Sequence, residues 1–463
     1  MKQNILVITF FLLLFSLTSC GSEDPVKDDP YPPTVISNVP VNNTVDVAIN
    51  TDITVLFTEK IVLAANAQIK LNGTVVTASV INARTLTIEN KGLASSTAYT
   101  LLIPANAISD LAGNFAKEIS ISFTTVKAED PISITSDLVT SNPSAQAVKL
   151  YNFLKENYGK KAISSTIANV NWNINEAEWV KQQAGKYPAM ATFDYIHLMS
   201  SPTSWIDYSN TTIVENWWNN NGIVSACWHW NIPTASGATT YTYDPDKTTF
   251  KASNAILEGT WENTVVKADL QKISGYLKLL QAKNIPVIWR PLHEGAGNIY
   301  EYTGGKAWFW WGASGAAAYK ALWIYMFDYF KNQGLNNLIW VWTTQTKDNA
   351  FYPGDNYVDI VGRDIYNKSS SSVIAAEFTS IQKIYTRKMV TLSEFGNVAK
   401  ISEQWTAGAK WSYFMPWYDY DRTNNVTEAD FNSTEHGHAN AAWWIDAFGA
   451  DYVITRDKMP SLK

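Results

Sequence analysis

Cysteine is scarce in this chain. Only Cys20 and Cys227 occur in 463 residues, which excludes a disulfide framework. An excess of positive charge is also missing. The formal net charge of −6 argues against a nucleic-acid surface and against binding to acidic lipid headgroups. Beyond the N-terminal segment no run is long and apolar enough to span a membrane. There is no phosphate-binding loop and no nucleophile-elbow serine. Ser164-Ser165-Thr166, at the first strand of the large domain, lacks the glycines of a dinucleotide fingerprint. His293-Glu294-Gly295-Ala296-Gly297 opens like a zinc-protease motif but has no second histidine, so metal catalysis is rejected and no cofactor is expected.

What the chain has in quantity is aromatic residues: 20 Trp, 23 Tyr and 18 Phe. Flat rings with a polar edge either stack on sugar faces or fill a large core. The length suggests roughly two or three domains. The first segment reads as an address. Met1-Lys2-Gln3 is basic, Ile5 to Leu17 is apolar but short for a bilayer span, and Leu17-Thr18-Ser19-Cys20-Gly21 resembles a bacterial lipobox. Residues 1–19 are therefore expected to be a lipoprotein signal peptide, with the lipid on Cys20. Ser22-Glu23-Asp24 and Lys27-Asp28-Asp29 resemble the export signal of surface lipoproteins in Bacteroides-type Gram-negative bacteria. The expected location is the cell-surface face of the outer membrane, with residues 20–33 as a flexible tether.

Residues 34–126 have the texture of a small β domain. Ile53, Val55 and Phe57 share one face of a strand, Asn72-Gly73 is a hairpin turn, and Asp110-Leu111-Ala112-Gly113-Asn114 is a turn before the last strand, Ile119 to Thr125. The order resembles bacterial Ig-like domains. With no paired carboxylates or histidine cluster, this domain reads as a spacer rather than a glycan binder. Residues 127–140, rich in Asp, Pro, Ser and Thr, read as a linker.

From residue 141 to 463 strands and helices alternate. Strand candidates are Ala162 to Ile167, Pro188 to Tyr195, Ile223 to Trp230, Pro286 to Glu294, Leu338 to Thr344, Val358 to Tyr366, Met389 to Phe395 and Ser412 to Tyr418. Ala268 to Lys283 keeps Leu270, Ile273, Leu277 and Leu280 at helical spacing. The expected fold class is α/β: a (β/α)8 TIM barrel preceded by an all-β Ig-like sandwich.

In a barrel the C-terminal strand ends share one face, so their tip residues converge. The tips offer Asp194, His229, Arg290, His293, Glu294, Asp364, Tyr366, Glu394 and Trp417. Two glutamates, on the fourth and seventh strands, suggest a carboxylate pair, and carboxylate pairs cleave glycosidic bonds. Arg290 reads either as a structural barrel arginine or as a group acting on that pair. His229, between Trp228 and Trp230, reads either as a core histidine or as a ligand contact. Cys227 reads as a buried inert thiol. Glu435-His436-Gly437-His438 has possible metal donors but reads as a cleft-edge loop.

Several motifs together carry a family resemblance. Trp289-Arg290-Pro291-Leu292-His293-Glu294, Trp308-Phe309-Trp310-Trp311-Gly312, Asp359 to Tyr366, Leu392-Ser393-Glu394-Phe395-Gly396 and Cys227 to Pro233 resemble glycoside hydrolase family 26. The resemblance runs from about residue 141 to the C-terminus. It implies a retaining (β/α)8 enzyme whose best-known activity is endo-β-1,4-mannanase, acting on mannan, glucomannan or galactomannan. Mixed-linkage β-glucanase and β-1,3-xylanase are the alternatives within the family. It also implies Glu294 as general acid/base and Glu394 as nucleophile. Tyr366 is expected to donate to Glu394, and Arg290 and His293 to orient the pair beside Asp364. His229 and Trp417 are expected to line the sugar subsite next to the scissile bond, with Trp308 stacking on its other side. A non-catalytic glycan-binding lipoprotein is the reading from another class. A polysaccharide and the membrane, through Cys20, are the expected partners of a monomer. The stretch Gly295 to Ala307 is longer than the family pattern and puts the wall beside Trp308 in question.

Overall fold

The structure is a computed structural model that describes residues 29–463 apart from 50, 90–91, 127–133, 135, 169–171 and 420–424. Cys20 and the signal-peptide reading lie outside the described residues. The chain divides into two compact units, at residues 131 and 132.

Beside a two-stranded pairing of Val62–Leu63 with Ile108–Ser109, the alternation of apolar residues in the N-terminal unit sets two larger sheets. One has Val35–Val39, Ile53–Phe57, Thr85–Ile88 and Ala78–Ile81 in that spatial order. The other has Thr44–Val47, Ile119–Thr125, Ala98–Ile103, Lys70–Leu71 and Thr74–Val75. Ile53, Val55 and Phe57 point inward with Leu86, Ile88, Leu101, Ile103, Ile121 and Phe123, and these make one core. Asn72 and Gly73 both take left-handed backbone, at φ 49° and 80°, as the expected hairpin turn requires. Asp110 accepts from the Asn114 backbone N–H at 2.8 Å and closes the second turn.

In the second unit eight strands close a parallel barrel. They are β1 (Ala162–Ile167), β2 (Met190–Asp194), β3 (Ile223–Trp228), β4 (Val287–Pro291), β5 (Leu338–Thr344), β6 (Ile360–Tyr366), β7 (Met389–Gly396) and β8 (Tyr413–Pro416). Each pairs with the next, and β8 pairs back onto β1 through Tyr413 and Ile163. β5 and β7 are buried at every position, as strands sheathed by helices must be. Val453–Ile454 adds a short parallel pairing to the start of β1, too brief to announce itself in the sequence.

The helix Trp261–Ala282 shows how the outer layer is fixed. The Thr260 side chain accepts from the Asn263 N–H and caps it. Val266, Leu270, Ile273, Leu277 and Leu280 form its buried stripe, each contributing about 1.5–3 kcal/mol by leaving water. The cap explains why the helix starts before Ala268.

Residues 136–140, read from the sequence as the end of the linker, belong to the barrel unit. Val139 N–H donates to Asp359 Oδ1 at 2.8 Å, Thr140 Oγ1 to the Leu338 carbonyl at 2.7 Å, and Ser136 Oγ to the Arg387 carbonyl at 3.0 Å. Leu338, Asp359 and Arg387 precede or open β5, β6 and β7. This segment therefore lies across the end of the barrel opposite the strand tips.

Candidate active site

β4 stops at Pro291, short of the expected Glu294, because the chain there turns tightly. Leu292 and Glu294 have left-handed backbone, at φ 44° and 51°. Such a conformation costs about 1–3 kcal/mol and persists only where neighbours hold it. Two buried rings hold it here. Tyr319 Oη donates to the Leu292 carbonyl at 2.7 Å, and Trp311 Nε1 donates to the His293 carbonyl at 2.9 Å. The turn leaves Glu294 buried at the tips of the strands.

β7 delivers Glu394 by a different device. The β6–β7 register runs Arg363 opposite Leu392, then Asp364 opposite Glu394, so Ser393 is an extra residue. A bulge of this kind re-aims side chains. Ser393 Oγ donates to Asp364 Oδ1 at 2.6 Å, and Glu394 accepts from Arg290 Nη2. Arg290 Nη1 also donates to Asp364 Oδ2 at 2.9 Å, and Tyr366 Oη donates to Glu394 Oε1 at 2.7 Å. Gly362 makes the space: a Cβ there would stand 2.3 Å from Ser393 Oγ.

These groups are buried, and their charges do not balance. Arg290 faces three carboxyls, those of Asp364, Glu394 and Glu294, with a lesser positive contribution from Arg363 at Glu294. Burial, and then the charges of Asp364 and Glu394, push Glu294 well above the usual carboxylate range. Burial raises Glu394 too, but Arg290, His229 and the Tyr366 hydroxyl oppose it. The surroundings therefore favour the proton more at Glu294 than at Glu394.

A histidine pair stands beside them. Asp194 accepts from the His229 backbone N–H at 3.1 Å and from Nδ1 at 2.6 Å, which fixes the ring. His229 Nε2 then faces His293 Nε2 at 3.0 Å, a contact that holds one proton. Burial and the neighbouring His229 and Arg290 push His293 well below its ordinary range, so it is neutral. Trp417 stands edge-on to His229 with centroids 5.3 Å apart. Of the tryptophans after Gly295, Trp310 and Trp311 are core, at 1% and 0% exposed, while Trp308 is 37% exposed. Trp308 lines an open groove of about 590 Å³ with Asn231, Tyr241 and Tyr243. The long loop before it is closed on itself, with Lys306 N–H donating to Asn298 Oδ1 at 2.7 Å.

All the site residues read from the barrel sequence thus gather at one end of it. Ser393 and Gln345 were given no part in the site from the sequence, and Asp194 was offered at a strand tip without a role. Asp194 orients His229, Ser393 steadies Asp364, and Gln345 Nε2 donates to Glu294 Oε1 at 3.3 Å. The Glu435 to His438 stretch is only partly the cleft-edge loop expected. His436 is buried, bonded to Glu176 Oε2 at 2.9 Å and packed against Trp179, while His438 stands beside Tyr366. Asp194, Cys227 and His229 bring possible ligand atoms within 4.8 Å of one another. They suit a metal poorly. The Asp194 carboxylate is engaged with His229, and burial with the Asp194 charge keeps the Cys227 thiol protonated.

The comparisons with known proteins agree with this geometry. The glycosyl hydrolase family 26 profile matches residues 139–446, and the bacterial Ig-like domain profile matches residues 29–125. Mannan endo-1,4-beta-mannosidase A of Piromyces sp is 33% identical over 90% of this chain and 67% of its own length. Mannan endo-1,4-beta-mannosidase B of Piromyces sp is 36% identical over 69% of this chain and 53% of its own, so the chain spans about half of that relative. Among solved structures, the family 26 domain of an endo-beta-mannanase/endo-beta-glucanase from Prevotella bryantii is 36% identical. It superposes with a TM-score of 0.64 over 70% of this chain and 98% of that one. A closed barrel, two buried glutamates, one in the turn after β4 and one on β7, and a profile match over most of the chain meet in one conclusion: the chain belongs to glycosyl hydrolase family 26.

Proposed function

We propose that the chain is a retaining endo-β-1,4-mannanase acting on mannan, glucomannan or galactomannan. The observation that carries this reading is the divided environment of the two glutamates at one barrel face, one favouring the proton and the other held by Arg290 and Tyr366. In a retaining mechanism the carboxyls stand roughly 5–5.5 Å apart and act in turn. Glu394 attacks the anomeric carbon as Glu294 gives its proton to the leaving oxygen, forming a glycosyl ester. Glu294, now an anion, then takes a proton from the water that cleaves the ester. Arg290 keeps Glu394 ionised and aimed, and Asp364 holds Arg290. His229, His293 and Trp417 form the wall beside the reacting sugar, and exposed Trp308 offers a stacking face beyond it. The names of the Piromyces relatives and the Prevotella domain support mannan as the substrate class. Lipid on Cys20, residues 20–33 as a tether and a cell-surface position would bring this monomer to its polysaccharide substrate.

The test is product release by the chain after Cys20 on mannan, lichenan and β-1,3-xylan, with Glu294→Gln in parallel. Mannan cleavage that disappears in the variant is the expected result. Cleavage of lichenan or xylan alone overturns the substrate, and glycan binding without cleavage by the wild type overturns the enzyme reading.

A further inference from the structure

The general acid has a neighbour at the end of β5 whose position is over-determined. Gln345 follows Thr344 directly and is buried. Its backbone N–H donates to Asp348 Oδ2 at 2.7 Å, and Asp348 Oδ1 accepts from Thr344 Oγ1 at 2.6 Å. Its side-chain oxygen accepts from Arg363 Nη1 at 3.3 Å. Arg363 is fixed in turn, donating to the Thr344 carbonyl at 3.2 Å and to Glu377 Oε2 at 3.0 Å.

This arrangement settles which way the carboxamide faces. A flipped amide would set its NH2 against the guanidinium, donor against donor. The oxygen therefore belongs to Arg363 and the NH2 to Glu294 Oε1. An oxygen that accepts an N–H bond can be the carbonyl of the acid or, with a stronger bond, one end of the carboxylate, but it does not carry the acidic proton. Glu294 Oε2, by contrast, has no hydrogen-bond partner among the described residues.

We propose that Gln345 is a positioning residue of the general acid, and that its carboxamide reserves Oε2 of Glu294 for the proton delivered to the glycosidic oxygen. Without it either oxygen carries the proton, and only one of them faces the leaving group. The inference rests on the reading of Glu294 as acid/base.

The test compares wild type with Gln345→Met, which keeps the volume and removes the donor, on β-mannan and on dinitrophenyl β-mannobioside. The dinitrophenolate leaves without protonation. The expected result is a fall in kcat/KM on mannan of roughly 10- to 100-fold, the range for losing one hydrogen bond to a charged group. The rate of glycosylation by the activated substrate should change little. The basic limb of the pH profile should move to higher pH, because the lost bond favoured the ionised form. Equal losses on both substrates with an unmoved limb would show a packing role and overturn the proposal, as would no change at all. Thermal unfolding checks the variant, and Gln345→Ser replaces it if it does not fold. A wild type that cleaves only lichenan or β-1,3-xylan overturns the substrate reading and leaves this one standing. The comparison is then made on that glycan and its dinitrophenyl glycoside.

Discussion

At the scale of the residue, two glutamates with the same chemistry are separated by their neighbours. The active form needs Glu294 protonated and Glu394 ionised, which makes the pH profile of kcat/KM a bell. Its acidic limb reports Glu394 and its basic limb reports Glu294, and both lie above the usual carboxylate range because both groups are raised. Tyr366→Phe removes the donor at 2.7 Å from Glu394. That bond favours the anion, so its loss raises the Glu394 pKa further and moves the acidic limb to higher pH. A drop in kcat/KM of roughly 10- to 100-fold should accompany the shift, read from initial rates across the pH range. Glu294 and Glu394 were legible because charge at the tip of an apolar run is conspicuous. Gln345 was not, because Thr343-Thr344-Gln345 carries no charge to mark it. Asp194 was visible at a tip, but its role depends on His229, 35 positions away, and the chain does not advertise that pairing.

At the scale of the element, the bulge in β7 decides the geometry, and it hides in plain sequence. Leu392-Ser393-Glu394-Phe395 reads as an ordinary strand, and nothing in it says that both Ser393 and Glu394 reach interior partners. Gly362 across on β6 is the condition for that. Gly362→Ala should lower stability by about 1–3 kcal/mol through overpacking, measured as a fall in Tm. It should also lower activity, since the Ser393 Oγ that would be displaced holds Asp364. The barrel strands were legible as apolar runs ending in polar tips, and the helix at Trp261–Ala282 from its periodicity. The early start of Trp261–Ala282 followed from a cap at Thr260, and Thr260→Ala should lower stability by about 1 kcal/mol, read by denaturant titration.

At the scale of the whole molecule, the two units have separate cores. Ile134, Leu138 and Val139 pack against the barrel core, so a chain that starts at Ile132 should keep its fold and its kcat on soluble mannooligosaccharides. A chain cut at 141, where composition alone places the boundary, should be less stable, as a melting comparison of the two would show. Composition marked the Asp, Pro, Ser and Thr of this segment as a linker. It had no means of showing that Ser136, Val139 and Thr140 find partners at the starts of three strands.

That stitched segment also determines how the enzyme responds to force. A pull arriving along the chain from the N-terminal side meets Ser136, Val139 and Thr140 before it reaches β1. Their bonds to the Arg387 carbonyl, the Asp359 carboxylate and the Leu338 carbonyl spread the tension over β5, β6 and β7 at the end of the barrel away from Glu294 and Glu394. The segment is placed like the clamp on a cable, between such a pull and β1.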